Sequence, residues 1–192
     1  MNTSLIFSLR DVTDKQLVES IDVLTSSSFQ LFELSGSQFE SDIYSRLRNA
    51  LFAADKKVFS IQNLVPVNLT RNWISSKESI QSELTSLFTQ KISAMERDGI
   101  KLAELDVAID AIRQGNEIND LKQLSTLLLG VLESAASSGV RMALPLRVPK
   151  VFPKSLDWHH LTILINDVLH ENLKVVVNLF PFEFNPGKFG GS

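Results

Sequence analysis

Short apolar runs rich in β-branched and aromatic residues alternate with longer helical patterns along this chain, and the alternation constrains the fold more than any single motif. The stretches between runs are long enough for a crossover helix, which is typical of parallel strands in an α/β protein. The predicted strands are Leu5–Leu9, Leu31–Leu34, Val58–Leu64, Leu102–Ile109, Val140–Val148 and Lys174–Phe180. The sequence therefore predicts six β/α units.

Two parallel architectures fit such units: an open doubly wound sheet and a closed eight-unit barrel. Six units suit the open sheet by count. However, no strand-to-helix turn carries a glycine-rich phosphate-binding motif, because Leu34-Ser35-Gly36-Ser37 is too short to hold a pyrophosphate. The nucleotide-binding form of the open sheet therefore loses its main support.

The alternation within the strands favours a barrel, in which one set of side chains packs against the helices and the other points into the lumen. The apolar sets Leu5/Phe7/Leu9, Phe59/Ile61, Leu105/Val107/Ile109 and Met142/Leu144/Leu146 are expected to face outward. The inward set is then strongly polar. It comprises Ser8, Arg10, Ser60, Gln62, Glu104, Asp106, Arg141, Ala143 and Arg147, joined by Glu33 and Asn178 if their strands keep the same parity.

Composition excludes several function classes. The chain has 192 residues, 44% of them hydrophobic and 21% charged, as in an ordinary globular domain. It has no cysteine, so disulfides and thiolate chemistry are excluded. The net charge of −3 and the lack of a basic cluster argue against nucleic acid. Neither a signal peptide nor a membrane-spanning run is found, so we expect a cytoplasmic protein with no membrane contact.

The order and the amino-acid sequences of several segments resemble those of the xylose-isomerase-like TIM-barrel superfamily. This superfamily includes sugar isomerases, epimerases and repair enzymes of the endonuclease IV type. These segments are Phe32-Glu33-Leu34, Ser138-Gly139-Val140-Arg141-Met142-Ala143-Leu144 and Leu173-Lys174-Val175-Val176-Val177-Asn178. The resemblance covers nearly the whole chain. It implies one β/α barrel domain, residues 1–192, which lacks the last two β/α units either as an excised piece or as a complete six-unit form.

The resemblance also implies a divalent metal, Mn²⁺, Mg²⁺ or Zn²⁺, held by a Glu ending strand five, an Asp ending strand six, and a His and a Glu from strands seven and eight. This sequence departs from that pattern. Residues 143–147 contain no Glu, and Asn178 stands where the Asp is expected. A single neutral amide does not replace several converging carboxylates or imidazoles. We therefore expect a degenerate metal site and assign no metal ligand.

Binding and catalytic groups of β/α barrels lie at the carboxyl ends of the strands. The leading hypothesis is a sugar isomerase- or epimerase-like protein that acts on or binds a small polyhydroxylated ligand. Glu33 and Asp106 are its candidate proton-transfer groups. The candidate ligand-binding residues are Arg10, Gln62, Trp73, Arg147 and Asn178. Trp73, in a predicted loop, either stacks on a sugar ring or pins that loop to the barrel.

Two alternatives remain open at the sequence level. The charged inward residues could pair with one another and fill the lumen as a buried network. The protein could also be a non-catalytic descendant of the fold that works through subunit or partner contacts. Four phenylalanines lie within Phe180–Phe189, and this tail is the predicted homo-oligomer contact.

The adjacent His159 and His160 point about 100° apart on a helix and cannot chelate one ion. Both are expected to be exposed.

Overall fold

The computed structural model describes residues 6–9, 12–75, 78–107, 111–147 and 156–178. The strands are β1 (Ile6–Ser8), β2 (Leu31–Ser35), β3 (Lys57–Gln62), β4 (Leu102–Glu104), β5 (Arg141–Arg147) and β6 (Leu173–Asn178). The helices are α1 (Asp14–Ser26), α2 (Gly36–Phe39), α3 (Ile43–Ala53), α4 (Val67–Ser75), α5 (Glu78–Arg97), α6 (Glu117–Ser137) and α7 (Leu156–Val168). None of these helices is long and apolar enough to cross a membrane.

The six strands form one parallel sheet whose spatial order is the order of the chain, β1 to β6. A doubly wound sheet reverses direction at a switch point, whereas the strands of a β/α barrel continue in one direction. Because crossovers are right-handed, an order without reversal places the helices on one face of the sheet. Helices α5, α6 and α7 accordingly contact each other in succession. The predicted barrel-type arrangement is confirmed, as an open arc with β1 and β6 at the edges of the described sheet.

The core lies between the sheet and the helices. Leu34, Ile61, Ala103 and Met142 occupy one row across β2 to β5, and all four are fully buried. Side chains from the helices complete this core, among them Leu47, Phe88, Ile92, Leu124 and Leu128. Ile61 and Met142, both predicted to face outward, thus share one row of the sheet. Because successive side chains of a strand point to opposite faces, the intervening residues face the other side of the sheet, which we call the inner face.

Two segments predicted as loops are helices. The Ser-Gly-Ser stretch after β2 begins α2 through a capping box. The Gln38 amide donates to Ser35 Oγ (3.3 Å), and the Ser35 amide donates to Gln38 Oε1 (2.8 Å). The polar stretch after Pro66 is α4, in which the Leu69 amide donates to the Pro66 carbonyl (2.9 Å). The prediction of a polar loop here was wrong, because this stretch forms a separate helix before α5.

Strand β4 is shorter than predicted. It ends at Glu104, although Leu105 and Val107 beyond it are still buried. The apolar pattern therefore continues past the residues that pair as a strand, because burial alone does not require ladder pairing. The predicted end of this strand at Ile109 lies outside the described residues.

Candidate functional site

The strand register gathers polar residues on the inner face. Ser8, Glu33, Ser60, Leu102 and Arg141 follow one another across β1 to β5 in a single row. Ser8, Ser60 and Arg141 of this row were predicted to face inward, whereas the apolar Leu102 was not. The parity that the sequence left open for Glu33 is thereby settled, because Glu33 pairs with Ser60 in register.

Glu33 is held in a defined orientation by two side chains of β3. Ser60 Oγ donates to Glu33 Oε2 (3.0 Å), and Gln62 Nε2 donates to Glu33 Oε1 (2.6 Å). Both donors are buried, with Ser60 at 0% and Gln62 at 7% exposure, whereas Glu33 is partly exposed. Each carboxylate oxygen has two lone-pair directions, so one bond to each leaves acceptor capacity on both. The site therefore presents an oriented acceptor on the inner face.

The partners of Glu33 are neutral. Within the described ranges Glu33 forms no ion pair. Arg10 and the Arg147 side chain, two cations of the charge network considered from the sequence, lie outside those ranges. Ser60 was predicted to face inward but was not selected as a site residue. Its alternation with Gln62 two positions on was the signal that could have identified it, since both lie on the face that carries Glu33.

Glu104 and Asp106 lie at and just beyond the end of β4, the strand next to β3 in the sheet. Glu104 is the last residue of β4 and is buried at 5% exposure, and its carbonyl accepts a bond from the Leu64 amide (3.0 Å). Asp106 follows β4 and is partly exposed, and its carbonyl accepts a bond from Thr70 Oγ1 (3.0 Å) on α4. These bonds tie the ends of β3 and β4 to α4 and fix the position of the Asp106 backbone.

Trp73 lies in the core. Its side chain is 0% exposed, and its ring packs against Phe88 with the centroids 4.8 Å apart. The Trp73 carbonyl accepts bonds from Gln81 Nε2 (3.0 Å) and Gln123 Nε2 (3.2 Å). The indole therefore has the position expected for the packing alternative, with no surface available for stacking on a sugar ring in this structure.

The remaining candidates fall at or beyond the edge of what the structure describes. Arg147 and Asn178 pair in register at the ends of β5 and β6, which places their backbones side by side. Their side chains, Arg10, and the tail Phe180–Phe189 lie outside the described parts.

The expectation that both histidines of α7 are exposed was wrong for His160. Its exposure is only 4%, whereas His159 is exposed. Helix α7 packs against α6. His159 and His160 are adjacent and lie on different faces of α7, so packing buries His160 and leaves His159 exposed.

The donor set does not fit the divalent metal that the resemblance implies. The inner-face positions of β5 include Arg141 and Ala143, and Ala143 pairs in register with Lys174 of β6. A cationic or aliphatic side chain supplies no oxygen ligand. Among the residues described, no group of three or more His, Cys, Asp or Glu side chains could hold a metal ion. No chemical step is therefore derived through a metal.

Comparison with known proteins identifies the fold. No protein-family model matches the sequence, and no curated protein matches it. Solved structures do. D-psicose 3-epimerase from Clostridium cellulolyticum matches with a TM-score of 0.61 and 14% identity, over 92% of this chain and 63% of that one. The E. coli 3-keto-D-glucoside 4-epimerase matches with a TM-score of 0.66 and 13% identity, over 91% and 68%. An L-ribulose 3-epimerase matches with a TM-score of 0.64 and 17% identity, over 92% and 60%.

The chain thus spans 63% of the length of the D-psicose 3-epimerases it matches. Other neighbours include a sugar phosphate isomerase/epimerase and a xylose isomerase domain protein. At identities of 9 to 17% such likeness establishes the fold and leaves the activity open. The structural neighbours and the uninterrupted parallel strand order agree: this chain shares the parallel β/α fold of these solved structures.

Proposed function

We propose that this protein binds a small polyhydroxylated, sugar-like molecule on its inner face, with Glu33 as the central acceptor. The observation that supports this most is the pair of buried neutral donors, Ser60 and Gln62, which orient the partly exposed Glu33 carboxylate. Several structural neighbours carry the names of sugar epimerases, which is consistent with such a ligand.

The chemistry of the carboxylate suits hydroxyl groups. A sugar presents neighbouring hydroxyl donors, and a carboxylate accepts charge-assisted hydrogen bonds from two of them at once. Because Ser60 and Gln62 already fix Glu33, little side-chain freedom is lost when a ligand binds. An arginine partner would offset the negative charge of Glu33. The neutral partners Ser60 and Gln62 do not, so this charge is available to the ligand.

Proton transfer would extend binding to catalysis. In an isomerase or epimerase of this type, a carboxylate removes the proton from the carbon next to a carbonyl, and the electron pair moves to the carbonyl oxygen to give an enediolate. Return of the proton to the opposite face or to the neighbouring carbon completes the reaction. Glu33 and Asp106 are the groups proposed for these transfers, and Arg10, Arg147 and Asn178 are proposed to hold the ligand.

We expect the isosteric variant Glu33→Gln to lose sugar binding, because an amide places a donor where the ligand hydroxyl needs an acceptor. The measurement is the shift in Tm, checked by calorimetric titration, on adding D-fructose and D-tagatose. Glu19→Gln, at an exposed carboxylate on α1, is the matched control and is expected to bind as the unmodified protein does. Equal binding by the Glu33 and Glu19 variants, or no binding of either sugar to the unmodified protein, would contradict the proposal.

Catalysis is tested separately by incubating each ketose with the protein in D₂O and following deuterium at the carbons beside the carbonyl by NMR. Exchange that is lost in both Glu33→Gln and Asp106→Asn supports the proton-transfer assignments. Binding without exchange leaves the ligand proposal standing and rejects catalysis through these residues.

A second function, through contacts with another chain, is favoured by β1. Parallel strands are ordinarily buried on both faces. In β1, however, Ile6 is 39% and Phe7 38% exposed, and no further strand within the described sheet pairs with its outer edge. Light scattering during size-exclusion chromatography tests this alternative. Self-association that Phe7→Ser abolishes would support it, and a monomer at all concentrations would count against a homo-oligomer.

A further inference from the structure

A second polar concavity is lined by helices and connecting segments, with no residue from the described strands. It is a groove of about 620 Å³ between α3 and α5, with Phe39 and Glu40 at one end. We call it the outer groove. Its charged members are Arg48 from α3, Lys91 and Arg97 from α5, and Glu40 and Asp98 from the connecting segments. Its volume is in the range of small-molecule sites.

The ammonium of Lys91 is the buried centre of this groove. The Lys91 side chain is only 7% exposed. Its Nζ donates to the Leu64 carbonyl (2.8 Å) and pairs with Glu40 Oε1 (2.6 Å). An ammonium has three donors, so one donor remains after these two contacts. Among the described residues, the carboxylate paired with this buried cation is that of Glu40, whose side chain is 53% exposed and thus free to turn into solvent.

Asp98, the other carboxylate of the groove, already has two partners, Tyr44 and Arg48. Tyr44 Oη donates to Asp98 Oδ2 (2.6 Å), and Arg48 forms an ion pair with Asp98 Oδ1. Burial and this bond to Asp98 raise the pKa of Tyr44 above its ordinary value, so the phenol keeps its proton and keeps Asp98 occupied. Arg97, by contrast, is exposed and forms no hydrogen bond or ion pair with the described residues.

The charge balance favours an anion. Three cations (Arg48, Lys91 and Arg97) face two carboxylates (Glu40 and Asp98), so the groove carries a net charge of +1 in a chain whose net charge is −3. An anion that displaced Glu40 would satisfy the buried Lys91 charge as well as Glu40 does. It would also engage Arg97, which has no counterion in the part of the chain that the structure describes.

We propose that the outer groove binds a small phosphate-bearing molecule through Lys91, Arg97 and Arg48, with Glu40 as the counterion that the phosphate displaces. A phosphate group carries up to two charges and three terminal oxygens, so it can accept from several cations at once, which a carboxylate with two oxygens does less completely. The groove is larger than a bare phosphate, so it has room for the organic part of such a ligand. This site is separate from the inner face, and it stands or fails independently of sugar binding by Glu33.

The test is titration of the full chain with inorganic phosphate at constant ionic strength, followed by ³¹P line broadening and by the shift in Tm. We expect saturable binding in the millimolar range. Arg97→Glu is expected to weaken it by roughly tenfold or more, because a cation becomes a competing anion. Arg97 is exposed and pairs with none of the residues that the structure describes, so this variant is expected to fold normally.

Two further variants separate this site from general charge effects. Arg46→Glu makes the same charge change at an exposed position of α3 that does not line the groove, and it is expected to bind phosphate as the unmodified protein does. Glu40→Gln removes the competing carboxylate and keeps an acceptor for Lys91, so it is expected to tighten phosphate binding severalfold. Equal weakening by Arg46→Glu and Arg97→Glu, no gain with Glu40→Gln, or no saturable binding at all would each overturn the proposal.

Discussion

Replacing Gly36 by alanine is expected to lower the free energy of unfolding by about 3 kcal/mol, because the backbone comes too close for any side chain. A Cβ at this position would lie 2.3 Å from the Asn63 carbonyl oxygen and 2.9 Å from that of Leu64. Both obstacles are backbone atoms, so they move only if the segment after β3 moves. Urea unfolding followed by circular dichroism measures the change.

The displacement would also reach the candidate site. Gly36 begins α2 directly after β2, the strand of Glu33, and residues 63 and 64 directly follow β3, the strand of Ser60 and Gln62. Separating these segments is expected to loosen the bonds that orient Glu33. The Gly36→Ala protein should therefore bind sugar less tightly under conditions in which it is still folded.

Gly130→Ala is the matched control for this change. Gly130 lies within α6, and a Cβ there would have no atom within 4 Å. Alanine is the better helix former, so this variant is expected to be more stable by about 0.5–1 kcal/mol. A loss of stability of similar size in both variants would show that the close approach at Gly36 is not the cause.

The sheet was predictable because burial of one strand face makes apolar residues recur at every second position of the sequence. Strands β2 to β5 each bury one member of the row Leu34, Ile61, Ala103 and Met142, and this burial imposes alternation on the sequence regardless of distant contacts. Helix α2 has only four residues, too few for a helical period, and its stronger signal was the capping pair Ser35 and Gln38. Helix α4 has nine residues, and its polar composition was interpreted as a loop.

The candidate site was predictable only in part, for a similar reason. Parity places Glu33, Ser60 and Gln62 on one face, but it does not say which side chains bond. That Glu33 has neutral partners depends on the register between β2 and β3, which includes an irregularity at Phe32 and Glu33. The contact between Lys91 and Glu40 joins positions far apart in the chain, so no local pattern reports it.

The second large effect is expected at Asp120, where alanine should lower the free energy of unfolding by about 3 kcal/mol. The carboxylate is fully buried at the start of α6. Its Oδ2 accepts from the Arg113 backbone amide (2.9 Å) and Nε (3.1 Å), and its Oδ1 accepts from Arg113 Nη2 (2.6 Å) and Asn116 Nδ2 (2.6 Å). Truncation leaves these donors without an acceptor, and urea unfolding measures the loss.

The charge on Asp120 adds a dependence on pH whose sign follows from its surroundings. Hydrogen bonding from the Arg113 side chain, with further bonds from the Arg113 amide and Asn116, holds the pKa of Asp120 below its ordinary value of 3.8. A carboxyl whose pKa is lower in the folded state than in the unfolded state stabilises the fold fully above the unfolded pKa. That contribution is lost as the pH falls through the folded pKa. The stability difference between the unmodified protein and Asp120→Asn should therefore shrink on acidification.

Unfolding titrations of both proteins from about pH 6 to about pH 3 test this expectation. Asp22→Asn, at an exposed carboxyl on α1, is the control and should differ little from the unmodified protein at any pH. A difference for Asp120→Asn that stayed constant down to the lowest pH would mean that the bonds of Asp120 stabilise the fold without their charge. The segment before α6 would then depend on the geometry of the Arg113 and Asn116 bonds, rather than on an ionised carboxylate.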